Sequence, residues 1–179
     1  MGEDPAREGL LETPSRVAKA WAHWTSGYRK KPEEVLKAFN DGAEGCGDEI
    51  VLVANIPVYS TCEHHMAMIW GYAHVGYLPN QKIVGLSKFS RIVDVFSRRL
   101  QVQERLTNQI ADAIELALAP RGVGVMLECR HACMESRGVH ARGTVTTTSS
   151  LRGLMRLDSA LRSEYLHLVT SASATKNGL

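Results

Sequence analysis

Residues 101–133 read QVQERLTNQIADAIELALAPRGVGVMLECRHAC, and this stretch decides the fold. Its first part repeats apolar residues every three or four positions, at Val102, Leu106, Ile110, Ala113, Ile114 and Ala117, the period of a helix with one buried stripe. The spacing predicts a helix over 101–119. Pro120-Arg121-Gly122 stops it, and the period then drops to two. Val123, Val125, Leu127, Cys129, His131 and Cys133 would share one face of a strand. A helix that turns at once into a one-sided strand argues for helices laid on an antiparallel sheet, an α+β architecture.

The flanking sequence extends this pattern in both directions. Upstream, Ser87 is placed to cap a helix whose stripe is Phe89, Ile92, Val93 and Phe96, and Pro79-Asn80 is a turn. Met66 to Leu78 reads as a long strand with Gly71 as a bulge or close-approach point, and Ile50 to Val53 as a short β-branched strand. Before them, Thr13-Pro14 offers a cap and a first-turn proline for a helix carrying Val17, Trp21 and Trp24. Lys31-Pro32-Glu33-Glu34 restarts a helix with Val35, Leu36 and Phe39 on its apolar side. Gly42 to Asp48 is a polar linker, which divides an N-terminal helical segment, 1–48, from a main domain, 49–179. Downstream, Gly138 to Gly143 is a turn and Thr144 to Ser150 a partner strand. Asp158 caps a last helix through Val169, and Ser171 to Leu179 reads as a loose polar tail.

Composition bounds the class. The chain has 179 residues and a formal net charge of +2. Residues 1–79 carry 7 Lys/Arg against 11 Asp/Glu and residues 80–179 carry 14 against 8, balances of −4 and +6. An acidic front and a basic back suit packing between subunits or an anionic ligand, or are simply two solvated faces. No apolar run approaches a membrane span, and the N-terminus has no signal-peptide pattern. The four cysteines (46, 62, 129 and 133) therefore read as thiols or metal ligands in a reducing, cytoplasmic setting.

The chemistry concentrates in Cys62-Glu63-His64-His65 and His131-Ala132-Cys133. Thiolate and imidazole groups at two separated places suit a tetrahedral Zn²⁺, with surplus histidines left over for proton transfer. Period two puts His131 and Cys133 on one strand face; Cys129, about 7 Å further along it, is a possible ligand or a core thiol. Cys62 and His65, three apart, can converge from a turn. A Cys62 nucleophile activated by imidazole, or purely structural histidines, also stay open at this point. The H-E-x-x-H of zincins is missing, and so is the nucleobase deaminase pattern.

These residues, with Gly85-Leu86-Ser87-Lys88, residues 98–107, Met134, Arg137-Gly138-Val139 and the N-terminal Asp4–Leu10 and Thr13–Ala18 segments, resemble GTP cyclohydrolase I over roughly residues 3–169. The resemblance implies conversion of GTP and water to 7,8-dihydroneopterin triphosphate and formate, the entry to folate and pterin synthesis. It implies Cys62, His65 and Cys133 as Zn²⁺ ligands, with His64, His131 and Ser87 in proton transfer. It further implies Glu104 as the reader of the guanine edge, Gln103 as a neighbouring polar contact, and Lys88, Arg91 and Arg137 as a triphosphate clamp. The fold implied is the tunnelling fold, a four-stranded antiparallel sheet with two helices on one side, here preceded by the N-terminal helical segment.

In that family such units form homodecamers of two stacked pentamers with sites between subunits. GTP and further copies of the chain are thus the expected partners, with neither nucleic acid nor membrane. Two places depart from the family: Met66-Ala67-Met68-Ile69 stands where Leu-Leu-Pro-Phe is usual, and His140-Ala141-Arg142-Gly143 replaces a more basic loop. Many members also carry a longer N-terminal extension, so regulation through one is not expected. Rival readings are a zinc-dependent scaffold without activity, a pyruvoyl-tetrahydropterin synthase, which binds zinc with three histidines, and a nitrile reductase with a lone nucleophilic cysteine. The Cys/His/Cys set fits neither of the two rival enzymes.

Overall fold

The computed structural model describes residues 2–39 and 49–176; the expected linker Gly42–Asp48, and with it the segment boundary at 48/49, lies outside the described residues. Its longer elements are α1 (Thr13–Trp24), β1 (Val51–Cys62), β2 (Met68–Leu78), α2 (Ser87–Ser97), α3 (Gln103–Leu118), β3 (Gly122–His131), β4 (Thr146–Gly153) and α4 (Ser159–Lys176). The four strands pair antiparallel in the order β1-β2-β3-β4, and the two-residue strand Leu100–Gln101 adds in parallel to β1 at Thr61 and Cys62. α2 and α3 cover one face. This is the α+β tunnelling-fold unit that the resemblance implied.

The stripes explain the packing. Phe89, Ile92 and Val93 of α2 and Leu106, Ile110 and Ile114 of α3 are fully buried against Val58, Ala73, Val75, Val125 and Leu127 of the sheet. Burying one such side chain contributes about 1.5–3 kcal/mol, so this layer is the main stabiliser. Ala119, in the left-handed conformation, ends α3 one residue before Pro120. Two expected caps differ: α1 starts at Thr13 and α2 at Ser87, and neither side chain caps its helix. Asp158 does cap, accepting from the amides of Ala160 (2.8 Å) and Leu161 (3.3 Å).

The opposite face of the sheet is covered in part by α4. Gly76 and Gly124 face each other across β2 and β3, and the Tyr165 ring lies on the flat spot they make. A Cβ on either glycine would overlap that ring, while the Tyr165 hydroxyl donates to the His74 carbonyl at 3.0 Å. α4 runs past Val169 to Lys176, so Ser171–Lys176 is helix rather than tail; the Asn55 amide donates to the Ala172 carbonyl at 3.0 Å. β1 is three times the expected length. Its pattern is broken by Asn55, at φ 56° where the register shifts, and by Pro57. At Gly71 there is no bulge: the register runs through it, and a Cβ there would strike the backbone of Glu128 and Cys129.

Candidate functional site

β1 and β3 end at the same rim of the sheet. The chain leaves β1 in a tight reversal, with the Met66 amide donating to the Cys62 carbonyl and the Cys62 amide to Ala67, both at 2.8 Å. Met66 takes φ 51° to close it, a left-handed conformation costing about 1–2 kcal/mol for a residue with a side chain. Such strain is characteristic of functional turns. The reversal sets the imidazoles around one thiol: His65 Nδ1 lies 3.7 Å and His64 Nδ1 3.9 Å from Cys62 Sγ. Its tip is pinned to the short strand Leu100–Gln101, where the Glu63 amide donates to the Gln101 carbonyl at 3.0 Å, and to α3, where the Glu63 carboxylate pairs with Arg105.

Cys133 arrives differently from the sequence expectation. β3 stops at His131, and Ala132–Glu135 is a single helical turn closed by Ser136, whose amide and hydroxyl both donate to the Ala132 carbonyl. The turn, not the strand pleat, aims the thiol, and Cys133 Sγ lies 3.9 Å from Cys62 Sγ. The donor atoms of Cys62, His65 and Cys133 all fall within 4.8 Å of one another, a group that could hold a metal ion. Burial and the neighbouring Cys62 sulfur push the Cys133 thiol up, and the Arg137 charge pulls the other way, so Arg137 flanks the group. Cys129 is core instead: it is 1% exposed, and burial pushes its thiol up to about 12.

His131 is held by Gln103, whose Oε1 lies 2.8 Å from His131 Nε2. Gln103 is 2% exposed, and its Nε2 meets the carbonyls of Thr146 (2.8 Å) and Leu127 (3.2 Å) and the Thr148 hydroxyl. Carbonyls only accept, so this end of the amide is the donor and Oε1 must accept from His131 Nε2–H. The ring is thereby fixed with Nδ1 as the nitrogen that can exchange a proton. Burial lowers the His131 pKa, and the charge of exposed Glu104, the residue after Gln103, opposes that shift. Within this chain, then, Gln103 orients a histidine.

Ser87, Lys88 and Arg91 lie elsewhere. They occupy the start of α2, and the other end of that helix leads into Leu100–Gln101 beside Cys62. Ten residue rises separate the ends, about 15 Å. Arg91 lines a cleft with Lys30, Val35 and Asp94. Ser87 and Lys88 thus lie beyond side-chain reach of the thiols in one chain, and Arg91, only about 9 Å along the helix from Ser97, lines that cleft instead. Sequence reasoning missed the Arg105–Glu63 and Arg130–Glu135 pairs beside the site. The signal was present as oppositely charged residues flanking both ligand motifs.

Residues 1–170 match the family model described as GTP cyclohydrolase I. The chain belongs to the GTP cyclohydrolase I family. Proteins named GTP cyclohydrolase 1 from Nitrosospira multiformis (54% identical, 96% of this chain and 89% of that one) and Janthinobacterium sp. (57%, 94% and 84%) are similar along nearly their whole length. A third, from Campylobacter jejuni subsp. doylei, is 49% identical over 98% of this chain and 92% of its own. Among solved structures, an archaeosine synthase QueF-Like in the apo form superposes with a TM-score of 0.49 at 17% identity, over 58% of this chain and 93% of that one.

Proposed function

We propose that this chain is a zinc-dependent GTP cyclohydrolase I, which opens the imidazole ring of GTP by hydrolysis and rearranges it to 7,8-dihydroneopterin triphosphate with release of formate. The observation that carries the reading is the Cys62/His65/Cys133 group beside an oriented histidine, in a chain of that family. The donor set fits zinc. A tetrahedral centre with Zn–S near 2.3 Å and Zn–N near 2.0–2.1 Å spaces its ligands by roughly 3.6–3.8 Å. Two of the three pairs here stand at 3.7 and 3.9 Å, and the third, His65 with Cys133, lies within 4.8 Å. Two thiols and one imidazole leave a fourth position for water, as in catalytic rather than structural sites.

When bound, zinc supplies a Lewis acid and lowers the pKa of water toward neutrality, the nucleophile needed at C8 of the purine. The residues do the rest. His131, steadied through Nε2, exchanges a proton at Nδ1 with the imidazole ring of the base. His64 projects from the same hairpin and serves proton transfers at the ribose. Glu104 accepts from guanine N1–H and the exocyclic amine, an edge adenine does not present. Arg137 at the rim, with Lys88 and Arg91, holds the triphosphate through charge-assisted hydrogen bonds, and Ser87 handles a ribose hydroxyl.

Because Ser87 and Lys88 lie about 15 Å from the zinc-side end of α2 and Arg91 lines the cleft with Lys30 and Asp94, these three reach the site from a neighbouring copy. The assembly is a homo-oligomer, a decamer of two pentamers; among the described residues no strand lies beside the outer edge of β4 and only Leu100–Gln101 beside that of β1, which supports the reading. We assign residues 1–48 to an N-terminal helical segment and 49–179 to the catalytic unit. No helix among the described residues is long and apolar enough to cross a membrane, and thiol ligands suit the cytoplasm. The test is direct. Zinc-loaded protein given GTP should release formate and yield a pterin that fluoresces after oxidation; no formate sinks the enzyme reading. Cys133→Ser should lose metal and product together, and full turnover with retained metal would refute the ligand assignment.

A further inference from the structure

Cys133 stands on a helical turn of only four residues, Ala132–Glu135. A single turn fixes several dihedrals for one or two hydrogen bonds and has little stability of its own. Yet zinc ligation tolerates only about 0.2 Å of error in each bond. Something outside the turn must hold it.

The last residue of the turn is tied back across the strand end. Glu135 receives a two-pronged contact from Arg130, Nε to Oε1 at 2.6 Å and Nη2 to Oε2. The fork matches guanidinium to carboxylate and fixes orientation as well as distance. Arg130 is itself seated on the Trp70 ring, its guanidinium carbon 5.2 Å from the ring centroid, and Trp70 is its direct partner across β2 and β3. The loop that carries Arg137 is tied to the same turn by its backbone, the Ala141 amide donating to the Met134 carbonyl at 2.9 Å. Although Arg130 is 43% exposed, the Glu135 side chain is only 12% exposed. The connection thus runs from a sheet strand to the Cys133 turn and on to the Arg137 loop. It passes over the rim from the sheet face opposite α2 and α3.

We infer that Arg130 and Glu135 are positioning residues: their fork, seated on Trp70, locks the Cys133 turn and the Arg137 loop into the geometry needed to hold metal and phosphate. The inference rests on the metal reading above, and it concerns neither a ligand nor a group that touches substrate. Partners that orient metal ligands commonly change metal affinity 10–100-fold when removed.

The experiment uses Glu135→Gln, nearly isosteric, and Arg130→Lys, which keeps the charge and loses the fork, together with the double variant. Hydrogen exchange of residues 132–143 in the metal-free proteins should quicken in each variant. Transfer of zinc to a coloured chelator should be roughly ten times faster than in wild type. The double variant should be no worse than the worse single, because the pair acts as one unit. Unchanged exchange and wild-type zinc release in folded variants overturn the inference, as do additive effects in the double. Wild-type protein that takes up no zinc overturns the metal reading instead, leaving the exchange measurement to judge the clamp alone. Should Glu135→Gln fail to fold, Arg130→Lys carries both readouts.

Discussion

At the scale of single residues, Gln103 separates two roles that its neighbourhood could support. Its amide hydrogens are spent on Thr146 and Leu127, and its oxygen holds His131. Gln103→Leu leaves those buried carbonyls unpaired, and the fold should lose about 1–3 kcal/mol in urea titrations. In steady-state kinetics kcat should fall while GTP affinity and zinc content stay near wild type. A loss confined to GTP affinity would restore the direct base contact that the family resemblance implied. Cys129 makes a pH prediction. Burial raises its thiol from an ordinary 9.0 to about 12. The unfolded chain releases that proton first, so the contribution is fully present below pH 9 and is lost as pH climbs through about 12. Cys129→Val should show a shallower decline of the urea midpoint across that interval. Of this site, the sequence displayed residue types: thiols and imidazoles gathered at two places. It did not display that Gln103 points inward, although its spacing to Leu106, Thr107 and Ile110 puts it on the buried stripe of α3.

At the scale of elements, the legible parts were those whose burial follows one period throughout. α2, α3 and β3 are of that kind. β1 was cut short because Asn55 and Pro57 interrupt its alternation, and only the pairing from Ile56↔Ala73 to Thr61↔Met68 restores the strand. The end of α4 was hidden for another reason: Ser171-Ala172-Ser173-Ala174 has no apolar stripe, and its helix is anchored by Asn55 from across the sheet. The seat of α4 gives the prediction at this scale. A methyl group at Gly124 would overlap the Tyr165 ring, so Gly124→Ala should cost about 1–3 kcal/mol, read from the urea midpoint. Gly124→Ala combined with Tyr165→Leu should recover part of that loss. An unaffected midpoint in the single variant would show that α4 is free to shift.

At the scale of the whole molecule, the proposed division of the site between the two ends of α2 predicts complementation. Cys133→Ser removes a ligand from one end, and Ser87→Ala with Lys88→Ala disables the other. Each protein alone should be close to inactive. Mixed after dissociation and reassembly, they should regain a substantial fraction of wild-type turnover, because some sites then draw an intact half from each subunit. Activity that never rises above the sum of the separate variants would mean that each site is built from one chain. Pro57 bears on how such copies could meet. The Cys62 amide points into the sheet, toward Ala67, so the even-numbered residues from Ile56 onward turn their amides to β2 and the odd ones turn them outward. Pro57 is odd and has no N–H. The outer edge of β1 is therefore notched like a key. Any regular strand laid along that edge leaves one carbonyl without an amide partner at the notch, so a neighbour fits best by ending or bulging there rather than by running straight past it.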